Sequence, residues 1–167
     1  RPGQNQNRPI DGLDGFAHAT SALVGEAVGA RNRRLLRDTV IAATLMAAGV
    51  AVAYALVYAI FGAYLLALLT DIEPLREFAG SFLPWMALSP LLSVWSYQLD
   101  GIFIGATRAG EMRNAMLVSV VLYTVAVFTL PTYLGNHGLW ASVMLFMVLR
   151  ALTLALFYPR VERMVAE

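Results

Sequence analysis

One carboxylate, Asp100, stands inside the stretch 89–108 of an otherwise apolar segment. Residues 78–99 carry no charge, and Ile102, Phe103, Ile104 and Ala106 restore apolar character before Arg108 ends the run. An ionised group at membrane depth costs a few kcal/mol or more, so an acid found there faces a partner or a water-filled cavity and is a functional candidate by default. On a helical projection Ser89, Ser93, Ser96, Asp100 and Thr107 share one face, with Tyr97 at its border and Gln98 beside it. The expected chemistry is a polar stripe lining a cavity, in which Asp100 binds a proton, a sodium ion or a cationic substrate with Ser96, Tyr97 and Gln98 as neighbours. The bland alternative for the serines is hydrogen-bonding glue between helices.

A second pair, Asp14 and His18, is one helical turn apart and is a possible proton relay. Glu26, close to a run of arginines, reads as an ion-pair partner. Gly25-x-x-x-Gly29 and Gly101-x-x-x-Gly105 have the spacing that lets helix backbones approach closely in lipid. Trp85, Trp95, Tyr97, Trp140 and Tyr158 suit interfacial belts, and those near Asp100 also suit contact with flat organic cations.

The elements that must hold these residues follow from composition. In 167 residues, 59% are hydrophobic and 14% charged, and the mean hydropathy is +0.64, which is outside the usual soluble range. Three charge-free windows, 39–70, 78–99 and 114–149, each reach the roughly 20 residues a helix needs to cross the hydrocarbon core. Membrane strands would alternate polar and apolar residues instead. The fold class is therefore all-α, a polytopic membrane helix bundle of about five spans at 11–30, 39–61, 78–107, 114–133 and 139–158. Residues 1–10, polar and with two prolines, read as a linker or non-native-looking start, and 164–167 as a tail. The first helix, with Asp14, His18 and Glu26, is a poor span alone and belongs inside a bundle. Residues 62–70 are expected to bend into a short interfacial segment, Pro84 and Pro90 to kink the third span before Asp100, and Pro159 to stop the fifth. Arg150, inside that last span, is expected to snorkel or to pair within the bundle.

All 12 basic residues are Arg. The loops after the first, third and fifth spans hold Arg31, Arg33, Arg34 and Arg37, then Arg108 and Arg113, then Arg160 and Arg163; the alternate loops hold only Arg76. By the positive-inside rule the Arg-rich loops and the C-terminus are cytoplasmic, in the cell's inner (plasma) membrane. The net charge of +1 gives no sign of a nucleic-acid partner.

Enzymatic chemistry finds little support. The absence of Cys excludes disulfides and thiol nucleophiles. The Asp100-Gly101 start lacks the spacing of membrane phosphatidyltransferases and no Asp follows it to complete a metal site. Asp14 lacks the Gly-x-Gly-Asp setting of an intramembrane aspartyl protease, and no multi-His cluster exists. Neither a metal nor a cofactor is expected.

Several ordered motifs, however, resemble one family. Leu13-Asp-Gly-Phe-Ala, then Gln98-Leu-Asp-Gly-Ile-Phe-Ile-Gly-Ala-Thr-Arg108 with Glu111-Met-Arg-Asn-Ala115, and Gly135-Asn-His-Gly-Leu-Trp140 are similar to the multidrug and toxin extrusion (MATE) transporters, specifically the DNA-damage-inducible protein F branch. The resemblance covers about 11–163. It implies a twelve-helix fold in two lobes, of which this chain is most of the C-terminal lobe, helices eight to twelve, and hence a fragment whose partner is a missing N-terminal lobe. It further implies export of organic, often cationic, xenobiotics in exchange for protons or sodium ions, with Asp100 at the helix-ten acidic position used in coupling. Two alternatives stand beside it: a membrane structural or interaction subunit, in which a partner Arg or hydroxyl shields Asp100, and a lipid-linked-intermediate flippase of the wider superfamily.

Overall fold

The computed structural model describes the backbone of residues 12–166 and the side chains of residues 18–165. Among these residues the chain forms six helices and no strand: α1 (Gly12–Gly29), α2 (Arg33–Leu69), α3 (Glu73–Gly80), α4 (Leu83–Gly105), α5 (Ala109–Leu134) and α6 (Asn136–Ala166). The expected linker at 1–10 lies outside the described residues.

Local chemistry explains most of the boundaries. α1 ends in a Schellman turn, with Arg31 at φ 49° and the amides of Arg31 and Asn32 bonded back to the carbonyls of Val28 and Ala27. Asn32 then caps α2, its side-chain oxygen accepting from the Leu35 amide at 3.0 Å. The same turn closes α4: Thr107 sits at φ 56°, and the amides of Thr107 and Arg108 reach back to Ile104 and Phe103. Thr107 is thus beyond the helix and exposed, which removes it from the polar stripe on which the sequence pattern placed it.

Two breaks fall elsewhere than expected. α2 runs unbroken to Leu69, because Leu65-Leu-Ala-Leu-Leu69 are strong helix formers and no Gly or Pro interrupts them. α6 likewise continues through Pro159 to Ala166. The proline frees one carbonyl of the preceding turn, a loss that a helix tolerates where water can reach the carbonyl. The bend before Asp100 lies at residues 81–82, where α3 and α4 meet at 41°, with Pro84 in the first turn of α4. Pro90 is accommodated inside α4, and Pro131 inside α5.

Three helices, α2, α5 and α6, are long and apolar enough to cross a membrane, and the bent pair α3 and α4 makes a fourth. α1 is not: its 18 residues contain four glycines and three ionisable groups. It is packed instead on α4 and α2, which is how a weakly apolar helix is retained within a bundle.

α4 is the hub, in contact with α1, α2 and α6, while α5 packs mainly on α6. The bundle has two chemically distinct ends. At the basic end, Val24, Ala27, Leu36, Phe103, Leu154 and Val161 form the principal core, and Glu162 at the end of α6 binds Arg33 and Arg37 of α2 at 2.9 and 2.8 Å. At the opposite end the Trp85 indole N–H donates to Nδ1 of His137 at 2.9 Å, and Phe82 packs against His137 and Trp140. Elsewhere large apolar side chains point outward along α2, α5 and α6, the arrangement of a protein whose solvent is lipid.

Close approach is made possible by glycine. A Cβ on Gly105 would strike the Ser21 carbonyl and sit 2.9 Å from Val24 Cβ, so α1 crosses α4 at this point. Gly25 faces the Gly105 carbonyl across the same contact. Gly138 does the equivalent for the α5–α6 hairpin, where a Cβ would lie 2.5 Å from the Leu130 carbonyl.

Candidate functional site

α4 buries a run of polar residues on more than one of its sides. Ser96, Gln98 and Asp100 are all buried, at 1%, 4% and 7% exposure. Asp100 faces α6, where one oxygen, Oδ2, lies 2.7 Å from Nη2 of Arg150 in an ion pair. Both side chains of this pair are largely shielded, Arg150 at 16% and Asp100 at 10%. The second oxygen, Oδ1, is buried without a hydrogen-bond partner among the described residues.

The pair lies inside the bundle. Arg150 is 12 residues from Glu162 and 14 from Asn136 along α6, about 18 and 21 Å, whereas Asp100 is five residues, about 8 Å, from the end of α4 at Gly105, so the pair sits towards the basic end. A buried ion pair is shielded from screening, and removal of one partner leaves an uncompensated buried charge.

Gln98 belongs to a different side. Two residues from Asp100 on a helix means a rotation of about 200°, and Gln98 accordingly accepts from the Thr20 hydroxyl of α1 at 3.3 Å while its amide nitrogen finds no partner among the described residues. Gln98 also lines an apolar cleft of about 230 Å³ between α2, α4 and α6, with Val40, Thr44, Trp95, Leu99 and Tyr158. Ser96 is one turn from Asp100 and shares its side of the helix; Tyr97 is half-buried. Ser89 is turned back on its own helix, donating to the Met86 carbonyl.

Of the possible relay, His18 is exposed and the Asp14 side chain lies outside the described residues. Glu26 is exposed and makes no ion pair among the described residues; Glu162 binds the α2 arginines in its place. No group of three or more His, Cys, Asp or Glu that would hold a metal ion occurs among the described residues. Arg150 pairs within the bundle, one of the two outcomes expected for it, and its partner is Asp100. Two features were not anticipated from sequence: the Thr20–Gln98 bond and the Arg33/Arg37–Glu162 cluster.

Comparison with known proteins agrees with this architecture. The MatE family model matches residues 13–132. The chain is 43% identical over 148 residues to DNA damage-inducible protein F of Escherichia coli (strain K12), a match that covers 89% of this chain and 32% of that protein. The chain thus spans about a third of the length of this relative. No solved structure matches. A buried acid on the hub helix of an all-helical membrane bundle, together with a family match over most of the chain, leads to one conclusion: this chain belongs to the MatE (MATE) family of membrane transporters.

Proposed function

We propose that this chain forms part of the C-terminal lobe of a cation-coupled exporter, helices eight to twelve of a two-lobe transporter, and that Asp100 is where a coupling proton or sodium ion, or the positive charge of an organic substrate, is received. The observation that carries the reading is the half-satisfied carboxylate: Asp100 is buried on the hub helix with one oxygen on Arg150 and the other unpartnered. A group kept at such a cost within a membrane-spanning helix has a use in transport, and rocking of one repeat against the other would alternate its exposure, as in transporters built from repeats. Ser96 and Tyr97 supply neighbouring polar groups, while Gln98, the third residue expected there, bonds Thr20 on another side of the helix. The missing N-terminal lobe is the partner, xenobiotic cations are the cargo, and the basic end, rich in Arg, faces the cytoplasm in the inner membrane.

The test is Asp100→Asn in the protein that carries this sequence, followed as drug-dependent proton or sodium flux in everted membrane vesicles. Coupled export should be lost; unchanged export and unchanged coupling would remove Asp100 from the mechanism.

The Arg150 contact favours a second reading, in which the pair is structural and only joins α4 to α6. In that case Asp100→Asn lowers the amount of folded protein, while the fraction that folds exports at the normal rate.

A further inference from the structure

We propose that the groove between α4 and α6 holds an acyl chain of one anionic phospholipid, whose phosphate sits on Arg33 and Arg37 at the basic end. The site stands apart from the export reading and needs only the membrane setting.

Two adjoining clefts make the groove. One of about 230 Å³ begins between α2, α4 and α6 at Val40 and Tyr158; the other, of about 360 Å³, continues between α4 and α6 to Val148, and the two share Trp95, Leu99 and Ala155. Neither touches Asp100 or Arg150. The second cleft is lined by apolar side chains alone, and Trp95 on its wall is 42% exposed. From Tyr158 to Val148 is ten residues of α6, about 15 Å. That is half of the roughly 30 Å hydrocarbon core, the depth of one leaflet. A crossing helix needs a seat of twice that length, whereas an acyl chain occupies one leaflet only.

Charge at the mouth selects the lipid. Arg37 is one turn from Val40 and Glu162 one turn from Tyr158, so the cluster of Arg33, Arg37 and Glu162 stands where the groove opens at the basic end. Glu162 holds the two guanidinium groups side by side at 2.9 and 2.8 Å. It takes up one N–H of Arg33 and two of Arg37, and each guanidinium carries five. N–H groups therefore remain on two half-exposed side chains, and two arginines against one carboxylate leave the cluster one positive charge in excess. A phosphodiester of charge −1 neutralises that excess through charge-assisted hydrogen bonds. The ammonium of a zwitterionic lipid would bring a positive charge back to the same place, so the site favours a headgroup whose only charge is its phosphate.

The experiment is native mass spectrometry of the protein that carries this sequence, with dioleoylphosphatidylglycerol and dioleoylphosphatidylcholine added in equal amounts. Wild type should retain one phosphatidylglycerol in preference to phosphatidylcholine by about tenfold or more. Arg37→Gln should remove most of that preference, and Arg113→Gln, the same change of charge on α5, should keep it. Ala155→Phe, at an exposed position shared by both clefts, should weaken phosphatidylglycerol binding with the arginines intact. Equal retention of the two lipids, or a loss in Arg113→Gln as large as in Arg37→Gln, overturns the proposal. Displacement of the lipid by inorganic phosphate with Ala155→Phe without effect overturns it too, since the arginines then bind a free anion and the groove nothing. Should the variants fail to fold, wild type decides: phosphatidylglycerol brominated at mid-chain should quench Trp95 more than brominated phosphatidylcholine does, read as the difference from Trp95→Phe, and equal quenching overturns the proposal.

Discussion

At the scale of single residues, the buried pair and the surface cluster obey different rules. Arg33 and Arg37 are half exposed, at 50% and 53%, and both converge on Glu162. Exposed pairs of this kind contribute up to about 1 kcal/mol each and are screened by salt. Glu162→Gln should lower the melting temperature of the purified protein by a few degrees at low ionic strength, and the difference should shrink towards zero in about 1 M salt. Asp100–Arg150 lies where salt does not reach, so its contribution should hold across the same titration. The sequence announced the members of the buried pair, since each is a solitary charge in an apolar run. It did not announce their meeting: they are 50 positions apart, and the choice of Arg150 over Arg108 or Arg113 depends on how α6 lies against α4. Glu26 shows the converse. Proximity to arginines in sequence suggested a partner, yet the helix turns it outward and the chain's far end provides the acid.

At the scale of helices, glycine spacing was legible but its mate was not. Gly101-x-x-x-Gly105 predicted a close crossing, and the crossing occurs at Gly105 against Ser21 and Val24 of α1. Gly105→Ala should therefore be destabilising by about 1–3 kcal/mol, since a carbonyl of a packed helix cannot yield as a flexible side chain does. Gly49→Ala is the control: nothing lies within 4 Å of the added carbon, and the helix should gain about 0.5–1 kcal/mol in backbone entropy. Paired thermal melts of the two variants check both signs. Proline was a weaker guide. Pro159 was expected to stop the fifth span and lies within α6, because in a membrane bundle neighbouring groups and surface water can take up the freed carbonyl. The real punctuation was the Schellman turns at Arg31 and Thr107, whose positive φ falls on residues that are not glycine and so leaves no mark in composition.

At the scale of the molecule, the two ends differ enough to be mapped. Arg33, Arg37 and Glu162 join the start of α2 to the end of α6, while Trp85 and His137 join the start of α4 to the start of α6. The chain has no Cys, so a single Cys at Arg34 or at Tyr133, both exposed, reports its side of the membrane without background. Arg34→Cys should react with an impermeant maleimide only in everted vesicles, and Tyr133→Cys only in intact cells whose outer membrane is permeabilised. The reverse pattern would invert the proposed orientation. The all-helical class and the membrane setting were plain in the hydropathy, because apolar runs of this length have few other uses. The role of α1 was less plain: its small and ionisable residues make a weak span, and only its packing on α4 and α2 accounts for it.

The distance in sequence between Asp100 and Arg150 also has a consequence for biosynthesis. A ribosome adds about 5–20 residues per second, so the carboxylate is made several seconds before its counterion exists. During that interval α4 enters the translocon carrying an acid with no mate, and a proton, a water or a lipid headgroup must stand in for the guanidinium. Completion of α6 ends the wait, so that correct docking of α4 is registered electrically by the arrival of α6.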